Sequence, residues 1–241
     1  MTDNNGMPDY AARLAHVKAR IHAAEAWSGR LGSGARVLVA TKTADADAAA
    51  AAVRAGVRIV GESRMQELEE KGEALKGAGA QIHVIGQLQR NKAAIAVRWA
   101  DCVQTVDSLS LAERLSRLCV QAERDLDVMI QVNVSAEPTK AGVAPDEALA
   151  LASAVQDLPA LTVIGFMTIG LNSSDESAVR AGYARLTALR DEALVRSERG
   201  ELPLRAAWEL SMGMSSDLEW AVAEGATMVR VGTAIMGDRP R

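Results

Sequence analysis

The chain has 241 residues, 49% hydrophobic and 24% charged, with a net charge of -4, so it has material for a sizeable core and no basic footprint for nucleic acid. One Phe, two Tyr and four Trp leave little surface for stacking bases, and Cys102 and Cys119 form neither a CxxC pair nor a disulfide framework. The opening MTDNNGMPDYAARLAHVKAR lacks the apolar heart of a signal peptide, and no run approaches the ~20 apolar residues of a membrane span; the expected location is the reducing cytoplasm, with no membrane partner.

In chain order, an amphipathic leading helix is expected at about 9–30, clearest from Ala11 to Trp27. Short apolar runs then alternate with helix-like segments. The runs are VLVAT (37–41), VRIVGE (57–62), IHVIG (82–86), CVQTVD (102–107), VMIQVNV (128–134), LTVIGFMTIG (161–170), AAWELSMG (206–213) and MVRVGTAIMG (228–237). The intervening helices are expected at 44–55, 65–75, 92–99, 111–123, 146–156, 178–196 and 218–224. Ser110 with Glu113 fits a capping box, and Glu67 to Lys71 reads as a solvated helix face with local charge pairing.

Eight short strands alternating with helices point to an α/β fold with a parallel sheet, and that number closes naturally into a (β/α)₈ TIM barrel. An open doubly wound sheet is the rival arrangement, but no GxGxxG follows the first run to mark a dinucleotide crevice. No long Pro/Gly/Ser-rich linker divides the chain, so residues 1–241 are expected to form one barrel unit with its leading helix.

A barrel gathers its chemistry at the C-terminal ends of its strands. The first run, VLVATKT, ends on Lys42, where solvation is expected to be poor. Burial lowers a lysine's pKa and makes the amine a usable nucleophile. After the seventh run, Ser211, Met212, Gly213, Met214, Ser215 and Ser216 open a helix, and Gly232 and Thr233 follow Arg230 on the eighth. Glycines, hydroxyls and helix starts after strands seven and eight suit a phosphate. An ordinary Ser or Asp helix cap is the plainer explanation of either loop alone. A lysine nucleophile beside a phosphate cup suggests a phosphorylated aldehyde, and pyridoxal 5′-phosphate fits. Arg230, permanently charged, could face the pyridine nitrogen and keep it unprotonated, or serve in an ion pair within the barrel. His16 and His22 share one helix and His83 stands alone, so no metal-ligand spacing is present.

The series VLVATKT, AGVRIVGESRMQELEEK, IHVIGQLQRNK, VQTVDSLSLAERL, VMIQVNVSAEPTKAGV, GFMTIG and LSMGMSSDLEWAVAEGATMVRVGTAIMG resembles the YggS-type pyridoxal phosphate homeostasis proteins, whose barrel is similar to the N-terminal domain of alanine racemase. The resemblance implies that Lys42 forms the Schiff base, that Ser211, Ser215, Gly232 and Thr233 surround the phosphate, and that Arg230 contacts the ring nitrogen; Met214, next to Gly213, is read from its residue type as packing beside the cofactor or core. It makes Lys140, in EPTKAG, a secondary lysine for cofactor handling. The chain departs from the family pattern at Ser63, Gln87 and Ala44.

A racemase needs acid/base groups on both faces of the cofactor, and Tyr10 and Tyr183 lie on the leading helix and an outer-ring helix. The expected role is therefore a non-catalytic one: binding, buffering and delivering pyridoxal phosphate, with transient contacts to apoenzymes, as a monomer or weak dimer. A pyridoxal-phosphate-dependent amino-acid racemase of low activity is the alternative, and a sugar-phosphate barrel using Lys42 in aldolase fashion is a third.

Overall fold

Eight parallel strands pair in chain order and close into a barrel: β1 (Arg36–Ala40), β2 (Ile59–Glu62), β3 (Gln81–Val84), β4 (Cys102–Val106), β5 (Leu126–Gln131), β6 (Leu161–Met167), β7 (Glu209–Ser211) and β8 (Met228–Val231). Closure sets Val37 opposite Val229 and Val39 opposite Val231. Around the strands lie α1 (Tyr10–Trp27), α2 (Ala46–Arg54), α3 (Met65–Gly77), α4 (Ala93–Trp99), α5 (Leu109–Gln121), α6 (Ala148–Gln156), α7 (Glu176–Glu198), α8 (Leu218–Ala223) and α9 (Thr233–Met236). This computed structural model describes residues 9–32, 34–42, 44–135, 137 and 141–237. The expected TIM barrel is present, and the open sheet is not.

Strand alternation divides the apolar residues between two environments. Val37, Val39, Val60, Ile82, Val84 and Val103 join helix residues such as Ala49, Val53, Leu68 and Leu75 in one large cluster between sheet and helices. Their alternating neighbours form two small clusters in the barrel interior, Leu38 with Ile59 and Met228, and Cys102 with Met129 and Met167. This interior is a packed core, as such barrels require.

Several boundaries differ from the sequence expectations. The run 228–237 stops being a strand at Val231, because the chain turns at Gly232 and Thr233–Met236 coils into α9. The strand expected over 206–213 is only Glu209–Ser211. The capping box at Ser110 is not used: α5 begins at Leu109, with Ser108 at its N-cap position. The leading helix is bounded by Asp9, which accepts the Ala12 amide at 2.9 Å, and by Ser28. Among the described residues, no helix is long and apolar enough to cross a membrane.

Candidate functional site

The ends of β1 and β8 are neighbours, so Lys42, just past Ala40, stands on the same stretch of rim as Gly232 and Thr233. A Cβ at Gly232 would lie 3.6 Å from the Ala40 carbonyl oxygen, an ordinary contact that shows the two strand ends to be neighbours. Lys42 itself is exposed, contrary to the expectation of burial: β1 ends two residues earlier, and the turn carries the side chain out of the barrel wall. The buried lysine of this region is Lys71, on α3.

Lys71 overturns its reading as part of a solvated face. Its ammonium donates to the Thr41 carbonyl at 2.8 Å, to Glu62 Oε1 at 3.1 Å and to Glu67 Oε2 at 3.3 Å. Glu62 is fully buried at the end of β2; it also accepts the Thr41 hydroxyl. Burial pushes its carboxyl up, against the opposing pull of Thr41 and Lys71. The signal was available, since Lys71 follows Leu68 by three residues and precedes Leu75 by four, on the buried stripe of α3.

A polar column rises through the barrel interior. Gln104 Nε2 lies 2.8 Å from His83 Nδ1, and Gln104 Oε1 accepts the Ser211 hydroxyl at 2.7 Å. The buried Arg230 guanidinium donates to the Ser211 carbonyl and hydroxyl, both at 2.8 Å, and to the Thr168 carbonyl at 2.7 Å. Burial holds Arg230 down to about 10, with Tyr183 and Asp217 acting the other way, so it is a cation and a donor at neutral pH. Among the described residues no ion-pair partner touches it; carbonyl and hydroxyl oxygens hold it instead. Ser211 thus lies under Arg230 as a support, below the loop that follows.

That loop, Met212 to Asp217, is anchored from behind. Asp217 Oδ1 accepts the Met214 amide at 2.6 Å, and Oδ2 accepts the Tyr183 hydroxyl at 2.7 Å. Gly213 has φ +85°, and a Cβ there would meet the Ala221 Cβ at 2.3 Å. Arg20 of α1 reaches Glu219 at 2.7 and 2.9 Å and the Ser215 carbonyl at 3.0 Å, tying the leading helix to the same loop. Among the described residues, the amides of Ser215, Ser216 and Gly232 donate to no carbonyl. Met214 and Thr233 are exposed and Ser215 half-buried. Lys140, named for cofactor handling, lies outside the described residues.

Tyr183 was read only as a poor candidate base. It is fully buried on α7, and burial with the Asp217 carboxylate pushes its ionisation far up, which makes it a fixed donor. Sequence alone had no means of pairing it with Asp217, 34 residues away.

The chain matches the model of the alanine racemase N-terminal domain over residues 13–240. It is 39% identical to the pyridoxal phosphate homeostasis protein of Pseudomonas aeruginosa, with 97% of each chain covered. The structure of PipY from Synechococcus elongatus with PLP bound superposes with a TM-score of 0.80 at 33% identity, covering 95% of this chain and 100% of that one. Alanine racemase of Clostridium difficile shares the fold, with a TM-score of 0.72 at 16% identity over 95% of this chain and 60% of its own. The chain therefore belongs to the pyridoxal phosphate homeostasis proteins within the alanine racemase N-terminal domain family.

Proposed function

We propose that the chain, as one barrel unit over residues 1–241, binds pyridoxal 5′-phosphate at this rim and serves in homeostasis of that cofactor without robust turnover. The observation that carries this reading is that Lys42 follows β1, the strand paired with β8, so its backbone neighbours the loop at Gly232, whose amide, like those of Ser215 and Ser216, donates to no carbonyl among the described residues, with the held Arg230 guanidinium on that same β8. This donor set fits the group: loop amides and the Ser215 and Thr233 hydroxyls suit a phosphate dianion, and Gly232 lets it approach the backbone. When bound, pyridoxal phosphate supplies an aldehyde with which a lysine amine condenses.

In this assignment Lys42 provides the amine, while Ser215, Gly232 and Thr233 hold the phosphate with Met214 packed beside it. Arg230 faces the ring nitrogen and, being a charged donor, keeps a proton off that atom. Ser211 belongs to the site through Arg230, whose guanidinium it orients. Lys140 acts as a secondary lysine. Tyr183 is committed to Asp217, so it does not supply a base on the second face. A protein that holds the cofactor without that base suits buffering and transfer to apoenzymes through transient contacts, as a monomer or weak dimer.

The test is the visible absorption spectrum of purified protein and of Lys42→Ala, before and after borohydride. A cofactor band that borohydride traps in the wild type and that changes in the variant is expected, with no racemase or transaminase turnover of amino acids. Failure of added pyridoxal phosphate to bind would overturn the assignment. Robust turnover abolished by Lys42→Ala would instead establish an enzyme.

A further inference from the structure

The residue before Lys42 is held at every polar group it owns. The Thr41 amide donates to the Gly61 carbonyl at 3.1 Å; its carbonyl accepts the Lys71 ammonium at 2.8 Å and the Ala44 amide at 3.0 Å; its hydroxyl donates to Glu62. The two side chains responsible are almost without solvent contact, Glu62 at 0% and Lys71 at 4% exposure. One Glu62 oxygen, Oε2, is buried with no partner among the described residues.

An ion pair in such a place costs desolvation on both partners, and simpler apolar packing would hold α3 on the barrel as well. Its geometry has a more specific effect. Lys71 reaches from α3 to the carbonyl of the peptide bond whose nitrogen belongs to Lys42, while Glu62 clamps the preceding side chain. An exposed lysine has many rotamers, so the placement of its amine depends on how firmly its own backbone is fixed.

We infer that Glu62 and Lys71 are positioning residues that fix the Thr41–Lys42 peptide and thereby aim the Lys42 amine at its ligand. This rests on the proposed pyridoxal phosphate site for its ligand, though its structural half stands independently.

The experiment compares wild type, Lys71→Met and the charge-free pair Glu62→Gln/Lys71→Met. The double variant keeps the shape and leaves no buried charge unpaired, so it is expected to fold even where the single variant does not. Lys76→Met, which breaks the Lys76–Asp101 pair elsewhere on α3, is the control for a general loss of stability. Two quantities are read on folded protein: amide hydrogen exchange at Thr41 and Ala44, and the dissociation constant for added pyridoxal phosphate. The expected result is exchange faster by about tenfold or more at those two amides, with Ala78 at the far end of α3 unchanged, and affinity weaker by about tenfold. Lys76→Met should change neither.

Unchanged exchange at Thr41 and Ala44 in the double variant would overturn the inference, as would faster exchange with unaltered affinity. If wild type itself does not bind the cofactor, the proposed function fails, while faster local exchange would still support the anchoring of Lys42.

Discussion

The Tyr183 hydroxyl donates to Asp217 Oδ2 at 2.7 Å while the other oxygen of that carboxylate accepts the Met214 amide at 2.6 Å. A buried tyrosine on α7 thus sets the shape of the loop after β7 through one carboxylate. Tyr183→Phe leaves that oxygen without its donor, and the expected cost is about 2 kcal/mol in urea unfolding. Because the loop is the assigned phosphate cradle, affinity for pyridoxal phosphate should fall, and affinity for pyridoxal, which lacks the phosphate, should not.

Gly213 supports the same loop by a different means. Its φ of +85° disfavours any side chain, and a Cβ would lie 2.3 Å from the Ala221 Cβ. Gly213→Ala is expected to destabilise the fold by about 2 kcal/mol or more and to weaken phosphate binding. Paired denaturation and titration measurements on the one variant check both outcomes.

Ser211 and Ser215 separate two roles that sequence placed together. Ser211→Ala removes one of the bonds to Arg230 and leaves Gln104 Oε1 without its donor, so about 1 kcal/mol of stability should be lost. Its effect on the cofactor should be spectral, through a less firmly held Arg230. Ser215→Ala should leave the spectrum unaltered and reduce affinity.

His83 predicts a pH dependence. Burial in the barrel interior, with the Arg36 charge adding to it, lowers this histidine from 6.5 to about 4. The unfolded chain takes up a proton below 6.5, and the folded chain only below about 4. Between these values the unfolded state binds more protons, so stability rises with pH: the contribution is complete above 6.5 and is lost as pH falls to about 4. Its full size is about 3 kcal/mol. Urea unfolding at pH 7 and at pH 4.5 should show a smaller difference for His83→Gln than for wild type.

The order of elements and the (β/α)₈ class were legible along the chain, because eight apolar runs of strand length alternated with helix-period segments. The rim residues followed from the rule that loops after barrel strands carry the chemistry, which brought Lys42, Ser215, Arg230, Gly232 and Thr233 into one list. Boundaries were less legible where one apolar run spans two structures, as from β8 through Gly232 into α9.

Tertiary structure alone decided which polar residues are anchored to which. Lys42 looked buried because it follows an apolar strand, yet the turn after Ala40 exposes it, while Lys71, inside a charged run, is the lysine taken into the core. The pairs Lys71 with Thr41, Tyr183 with Asp217 and Arg230 with Ser211 are separated by 30, 34 and 19 residues. Local periodicity determines which face a side chain occupies, since it follows from residues a few positions apart. Partnership depends instead on how neighbouring elements dock, β7 beside β8 for Ser211 and Arg230, α7 against the start of α8 for Tyr183 and Asp217, and α3 over the ends of β1 and β2 for Lys71 and Thr41.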